Sequence, residues 1–190
     1  MKKALLLVSI LFVSVFSTAC INNFAVQELN SKAKSYLEEG DYNAAIERLK
    51  SSIDLDDTIF ETHYNLAVAY TQADDYMNAM SEYKKALELN PDVPDSYYSL
   101  AVAQENLAVD LMRGTVRLDE NGRMYHFDSS SVEEEQPYAA DENVIALVEE
   151  LKADAAVNYG VYLEKSPDAS DAEDVRQKLE SLKSVPDVNE

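Results

Sequence analysis

The sequence predicts an all-α protein in which antiparallel helical hairpins stack into a solenoid. Three observations predict this fold class. The composition favours helix, because the 190 residues include only 4 Gly, 5 Pro and no Trp, while 46% are apolar. Tyr42 and Ala45 recur as Tyr76 and Ala79, and this period of about 34 residues is typical of stacked helical hairpins. Farther along, apolar residues from Val144 to Tyr162 recur at helical spacing.

The amino terminus has the pattern of an export signal. Two lysines precede a largely apolar segment at residues 4–16, which is the layout of a secretory signal peptide. The segment is too short to span a membrane, since a spanning helix takes about 20 residues. Ser17 and Ala19 are small residues placed just before Cys20, the only cysteine of the chain. We therefore predict a signal peptide over residues 1–19.

The residues before Cys20 resemble the lipobox of bacterial lipoproteins, a family that is cleaved before its cysteine and acylated there. The resemblance implies lipid attachment at Cys20, a lipidated linker at residues 20–25 and a place in the bacterial cell envelope, on the outer membrane facing the periplasm in a Gram-negative cell. Ser17 departs from the family, which prefers Leu there. Ser17 and Ala19 also fit an ordinary secretion cleavage site, so plain export is the alternative. Lipid attachment is favoured, because a free thiol in an oxidising compartment is a liability.

Residues 60–93 carry the clearest repeat signature. Its marked positions are Tyr64, Asn65, Leu66, Ala67, Tyr70, Tyr76, Ala79, Tyr83, Ala86, Leu87, Glu88, Leu89, Asn90 and Pro91. This pattern closely resembles the tetratricopeptide repeat (TPR) family, whose repeat is a pair of antiparallel helices. The three alanines fall where those helices approach each other. Asp75 is placed to cap the second helix, and Pro91 to end it.

Residues 26–59 are predicted to form the first repeat in a less regular version. Gly40, Tyr42 and Ala45 indicate the repeat, and the last two recur one period later as Tyr76 and Ala79, whereas Ser52 replaces the usual Ala and Asp57 the usual terminating Pro. Terminal repeats are often atypical because one of their faces meets water.

The third repeat is predicted to be split. Its terminating Pro, expected at position 125, is found much later in the chain, at Pro167. Residues 94–112 and 141–167 are therefore the two halves of the third repeat, and residues 113–140 are an insertion. Asn121-Gly122 is a strong turn signal between two alternating segments, which predicts a β-hairpin, and an acidic, serine-rich loop follows it. We expect both flanking helices to be long and the insertion to protrude from the core as an arm.

A capping helix at residues 170–184 is predicted to close the solenoid. Val175, Leu179 and Leu182 lie on one of its faces at helical spacing. Residues 185–190 are predicted to form a tail that follows the capping helix.

Charge and composition exclude several classes of function. With 16 basic and 36 acidic residues the formal net charge is −20, which argues against nucleic acid, because phosphates are neutralised by Lys and Arg. Removal of the signal peptide takes away two lysines and changes the net charge to −22. We therefore expect an anionic membrane surface to repel the folded body. One Cys and two His, His63 and His126, leave little material for a metal site or for acid–base chemistry. We predict no enzymatic activity, no cofactor, no metal and no small-molecule substrate.

The TPR resemblance implies that the first helix of each repeat lines a concave groove that binds a protein or peptide. Carried over by position, the implied partner-binding residues are Asn30, Lys34, Leu37, Tyr64, Val68, Thr71, Tyr98, Val102 and Glu105. Asp95 and Ser99 stand where TPR domains that clamp a C-terminal carboxylate have basic residues, so that clamp is absent. The acidic balance suggests a partner with basic character. Two functions stay open: an envelope adaptor, and a structural module that associates with its own copies.

Overall fold

The computed structural model describes residues 23–127 and 138–183. The predicted signal peptide, the lipid-attachment residue Cys20, most of the acidic loop and the tail at residues 185–190 lie outside the described residues. No helix within the described ranges is both long and apolar enough to cross a membrane.

Seven helices in the described ranges form three antiparallel hairpins and a closing helix. They are α1 (23–39), α2 (Tyr42–Leu55), α3 (Phe60–Gln72), α4 (Tyr76–Leu89), α5 (Pro94–Arg113), α6 (Glu142–Lys165) and α7 (Ala172–Lys183). A two-stranded antiparallel sheet of β1 (Val116–Leu118) and β2 (Met124–His126) lies between α5 and α6 in the chain. The predicted all-α solenoid, with its split third repeat and closing helix, is confirmed. The predicted linker at residues 20–25 needs correction, because residues 23–25 already belong to α1.

The first helix of each hairpin ends at a residue with left-handed backbone. These residues are Gly40 (φ 78°), Asp74 (φ 57°) and Gly114 (φ 76°). After each of them the chain turns back, and the next backbone N–H donates to a carbonyl in the last turn of the helix. Gly40 and Asp74 are one repeat period apart, whereas Gly114 comes later than the next period would place it. The first helix of the third repeat is therefore longer than the repeat period predicts.

An aspartate starts the second helix of every hairpin. In each case its side chain accepts the backbone N–H three residues later, which satisfies one of the free donors of the first turn. The pairs are Asp41 with Ala44 (3.0 Å), Asp75 with Asn78 (3.3 Å) and Asp141 with Val144 (2.9 Å). The predicted capping role of Asp75 is confirmed.

The buried side chains form three core clusters along the solenoid. The first joins α1 to α5 through residues that include Leu49, Leu66, Ala67, Ala79 and Leu100. The second consists of Leu107, Ala108, Leu111, Val116, Val144, Val148 and Leu151. The third consists of Ala101, Ala155, Tyr159, Tyr162 and Val175. Ala67, Ala79 and Ala86 are all fully buried, as predicted for positions where helices approach closely.

The insertion does not stand clear of the core at its base. Val116 of β1 is fully buried in the second core cluster, and Met77 and Met80 of α4 pack against the same cluster. The expectation that residues 113–140 protrude as an arm is therefore wrong at this point. The reason is the turn at Gly114, which brings β1 back against the helices. Only β2, which pairs with β1 through Val116 and His126, is exposed along its length.

Candidate functional site

Four of the predicted groove residues meet in one cavity between α3 and α5. This first cavity has a volume of about 210 Å³. Its lining residues are Val68, Thr71, Gln72, Tyr83, Tyr98, Ser99 and Val102. Val68, Thr71, Tyr98 and Val102 belong to the predicted set, and their role in binding a partner stays a prediction.

The first cavity is walled by apolar groups and uncharged polar groups. Thr71 Oγ1 lies 2.9 Å from the carbonyl oxygen of Ala67 and 3.4 Å from the Tyr83 hydroxyl. Burial raises the pKa of Tyr83, so its phenol stays neutral. No charged side chain is among the seven lining residues. Such a cavity suits an apolar or an uncharged polar side chain of a ligand.

Aromatic contacts hold the walls of the first cavity in place. The ring of Tyr64 meets that of Tyr83 edge-on, with centroids 5.8 Å apart. The Tyr98 ring lies 5.7 Å from that of Tyr159 and 5.3 Å from that of Tyr162. Because these side chains are already ordered, a ligand does not have to immobilise them. Tyr64 thus contacts a wall of the cavity but is not one of its lining residues.

A second cavity, of about 290 Å³, lies between α5, α6 and α7. Its lining residues are Glu105, Ala108, Val109, Met112, Arg113, Lys152 and Leu182. Val109 and Met112 are 42% and 50% exposed, although both are large and apolar. Of the predicted groove residues, Glu105 is the one found here.

The two cavities lie along one face of α5. Tyr98, Val102, Glu105, Val109 and Met112 follow each other at alternating intervals of four and three residues, which places them on a single helical stripe. The predicted set ends at Glu105, where an ordinary repeat helix is close to its end. Continuing the same spacing through the longer helix finds the other two residues.

Two of the three charged residues that line the second cavity are basic, although the chain as a whole is acidic. Glu105 accepts a hydrogen bond from the Tyr159 hydroxyl and pairs with Lys178 at 3.4 Å. Burial, and secondarily this carboxylate, raise the pKa of Tyr159. Within the described residues Arg113 makes no ion pair, and the partner of Lys152 is the exposed Glu149 on the preceding turn of α6. The local charge at this cavity therefore does not favour a basic ligand group.

Asn30 has its side-chain amide engaged inside the fold. The amide nitrogen lies 2.9 Å from Ser52 Oγ and 3.0 Å from Thr62 Oγ1, two hydroxyls that are fully buried. A buried hydroxyl without a partner is costly, so this amide satisfies the interface between the first two repeats. Asn30 thus has a structural contact, and its role in binding a partner stays a prediction.

The two remaining predicted residues of α1 line neither cavity. Lys34 is exposed, and Leu37 packs against the first core cluster. Three lining residues that are absent from the predicted set come from helices that the prediction did not include, namely Tyr83 of α4, Lys152 of α6 and Leu182 of α7. No local sequence pattern predicts these residues, because each side chain reaches the groove through the packing of its helix against neighbouring helices.

His63 has a structural position. It is buried, with Nδ1 2.7 Å from Glu82 Oε2 and Nε2 2.9 Å from the carbonyl oxygen of Asp57. These contacts tie α3 to α4 and to the turn that precedes α3. In the described ranges, no group of three or more His, Cys, Asp and Glu side chains could hold a metal ion.

A family model matches the first part of the solenoid. Residues 33–74 and 69–107 match the model of the TPR repeat family. Residues 33–107 are thus similar to TPR repeats. The matched residues run from the middle of α1 to α5, so the inserted hairpin, α6 and α7 lie beyond the TPR match. A search of curated proteins gives no match.

Several solved structures, among them TPR domains, resemble most of the chain. The second TPR domain of human RPAP3, in complex with the HSP70 peptide SGPTIEEVD, is 14% identical, with a TM-score of 0.58 over 86% of this chain and 99% of that one. The TPR2B domain of yeast Sti1, in a pHsp70 complex, is 17% identical, with a TM-score of 0.55 over 84% and 96%. The type III secretion translocator chaperone SycD of Yersinia enterocolitica is 14% identical, with a TM-score of 0.55 over 83% of each chain. At these identities the likeness shows the fold alone.

Proposed function

We propose that this protein is a non-enzymatic scaffold or adaptor that binds a peptide or a helix of a partner protein along α5. The observation that carries the proposal is the pair of cavities on one face of this helix, with Val109 and Met112 half-exposed between helices that are otherwise well packed. Exposed apolar groups that line a concavity mark binding sites. The peptide complexes of RPAP3 and Sti1 support this use of a similar fold.

The length of the helical stripe on α5, from Tyr98 to Met112, sets the length of the ligand segment that can bind there. From Tyr98 to Met112 the helix rises by about 21 Å. An extended peptide of about six residues spans that distance. It would place an uncharged side chain in the first cavity and an apolar side chain in the second.

Charge adds a second criterion for the partner. The net charge of −20 attracts a protein of basic character from a distance. Arg113 and Lys152 at the second cavity oppose a cationic group there. Asp95 is exposed and Ser99 lies in the cavity wall, so neither supplies a basic group for a terminal carboxylate. The proposed ligand is therefore a basic protein that presents an apolar, uncharged segment to the groove.

The proposed location is the bacterial cell envelope, on the outer membrane facing the periplasm in a Gram-negative cell. The support is the sequence pattern: a signal peptide that ends at the only cysteine, Cys20. Acylation of this residue would anchor the protein, since each buried methylene contributes about 0.8 kcal/mol.

Site-specific photocrosslinking in the native envelope tests the groove. A crosslinking residue at position 102 or 109 should capture one partner, and the same residue at Val157, an exposed position on α6, should not. With the partner in hand, we expect Val109→Asp with Met112→Asp to weaken binding at least tenfold, because burying an unpaired carboxylate is costly. The matched control is Ile145→Asp with Val157→Asp, two exposed apolar residues of α6. Equal affinities of the two double variants for the partner would refute the proposal that the partner binds in this groove.

Fractionation tests the anchor independently of the groove. Wild-type protein should partition into the detergent phase, and Cys20→Ala should move it to the aqueous phase. The mass of the purified protein should show removal of residues 1–19 and the added acyl chains. An unmodified Cys20, or unchanged partition of the variant, would contradict the proposal and favour plain export.

One observation favours the alternative of a self-associating module. Ile145 and Val157 are exposed apolar residues on α6, outside both cavities. Light scattering of the detergent-solubilised protein separates the two functions. A monomer supports the adaptor, and a dimer that Ile145→Asp with Val157→Asp converts to monomer supports self-association.

A further inference from the structure

We propose that the amino-terminal end of α1 contacts the lipid surface, with Phe24 inserted at the boundary between headgroups and acyl chains. The proposal rests on the proposed lipid attachment at Cys20. It names a docking surface that the anchor alone does not require, because a lipidated chain can also carry its folded body on a long, free linker.

The tether between the lipid and the folded body is short. Residue 23, the first residue that the structure describes, already belongs to α1 and lies three positions after Cys20. Three residues span at most about 11 Å when fully extended. The interfacial region of a bilayer leaflet is about 5–8 Å thick. An acylated Cys20 therefore holds the first turn of α1 at or within reach of the headgroups.

An exposed aromatic ring lies at this end of the helix. Phe24 is 70% exposed, more than any other large apolar residue in the described ranges. Its neighbour Val26 is turned inward and buried, so the first turn of α1 presents Phe24 to the outside while it is fixed to the fold. Aromatic and large apolar side chains are the ones that interfacial helices bury at the headgroup boundary.

The start of α1 also lacks charge. Residues 21–27 contain no charged side chain, in a chain whose formal charge is −20. The first charged residue of α1, Glu28, pairs with Lys32 at 2.7 Å. The start of α1 can therefore approach lipid without bringing an unpaired charge with it.

The end of α2, which lies near the start of α1, determines which lipid charge the surface favours. The contact of Asn30 with Ser52 shows that α2 returns beside α1, so its end at Leu55 is directed to the same side of the hairpin. Leu55 is half-exposed, and Asp54, Asp56 and Asp57 flank it in the chain. Hydrogen bonds from Thr58 lower the pKa of Asp56, which stays ionised. These carboxylates disfavour anionic lipid, so the proposed partner is a zwitterionic bilayer surface.

The test uses the absence of tryptophan from the chain. Phe24→Trp and, as the matched control, Val157→Trp each create a single fluorescent reporter at an exposed apolar position. The full protein, purified from the membranes of its host, is reconstituted into phosphatidylcholine vesicles that contain brominated phosphatidylcholine. We expect the Phe24→Trp emission to shift to the blue and to be quenched several-fold more than that of Val157→Trp. Replacing part of the lipid by phosphatidylglycerol should reduce this quenching.

Equal quenching of the two variants in protein whose mass shows an acylated Cys20 would overturn the contact and leave the anchor intact. A mass that shows an unmodified Cys20 would instead overturn the anchor. In that case the thiol of the exported protein is coupled to a maleimide-headgroup lipid in the same vesicles, which is specific because Cys20 is the only cysteine. Quenching of Phe24→Trp then supports the contact surface without natural acylation, and its absence overturns it.

Discussion

At the scale of the residue, the left-handed positions show how one neighbouring side chain changes the role of a glycine. Gly40 and Gly114 both end a first helix, with φ of 78° and 76°, where an L residue is strained. A Cβ on Gly40 would meet nothing within 4 Å, whereas one on Gly114 would lie 2.5 Å from the ring of Tyr138. The same ring lies 4.7 Å from the guanidinium of Arg117, which also stacks on Phe127. Gly114 thus serves the packing of the insertion as well as the turn.

We expect Gly40→Ala and Gly114→Ala to differ in cost. Left-handed backbone destabilises each alanine variant by about 1–2 kcal/mol. Gly114→Ala should lose at least about 1 kcal/mol more in urea unfolding, because Tyr138 has to move off its contact. In a Tyr138→Ala background the costs of the two substitutions should become equal. Equal costs in the natural background would mean that Tyr138 does not pack on Gly114.

At the scale of the element, the long α5 determines where the insertion can lie. Because α5 continues past the repeat period to Arg113, its last turns have no partner from an ordinary repeat. The second core cluster supplies one, by packing Leu107 and Leu111 against α6 and against Val116 of β1. The hairpin is thus attached by its first strand and exposed along its second.

Val116→Ala should cost about 1–3 kcal/mol of folding free energy, since it removes methyl groups from a fully buried site. Tyr125→Ala, on the exposed strand, should stay within about 0.5 kcal/mol of the natural protein. Both values come from urea unfolding followed by circular dichroism. Replacing residues 113–140 with a short Gly-Ser linker should leave a folded protein of lower stability, because α5 and α6 still pair. If the two alanine variants were equally stable, the hairpin would not be packed into the core and the prediction of a protruding arm would be correct.

At the scale of the whole molecule, α5 connects all three core clusters. It contributes Leu100 and Ala103 to the first, Leu107, Ala108 and Leu111 to the second, and Ala101 to the third. Repeat proteins are often stabilised by contacts between neighbours only. A helix shared by every cluster couples the repeats to one another and to the closing helix.

We therefore expect the described fold to unfold in one transition. Leu107→Ala, at a fully buried position of α5, should shift that transition by about 2–5 kcal/mol. Val175→Ala, at a buried position of α7, should shift the same transition by a smaller amount, since it removes a smaller apolar group. Helical circular dichroism and tyrosine fluorescence should report the same midpoint for each variant. Separate midpoints, or a second step that appears only in Val175→Ala, would show that the ends of the solenoid unfold independently.

Part of the first cavity could be predicted from repeat position and helical spacing. Val68 and Thr71 on α3, and Tyr98 and Val102 on α5, were placed in this way and meet in the first cavity. Asn30 occupies the equivalent position in the first repeat, but its amide is engaged inside the fold. The difference lies in Ser52, where the second repeat has Ala86: a buried hydroxyl requires a polar neighbour, and Asn30 is the residue within reach.

The helices and their order could be predicted from the sequence, because they follow from apolar spacing and from the repeat period. Tertiary packing sets which helix faces remain open and which charged side chains are engaged. Glu105 is engaged by Tyr159 and Lys178, residues 54 and 73 positions away, and Val116 is buried by helices on either side of its strand. These contacts depend on how distant segments pack, and no local pattern records that packing.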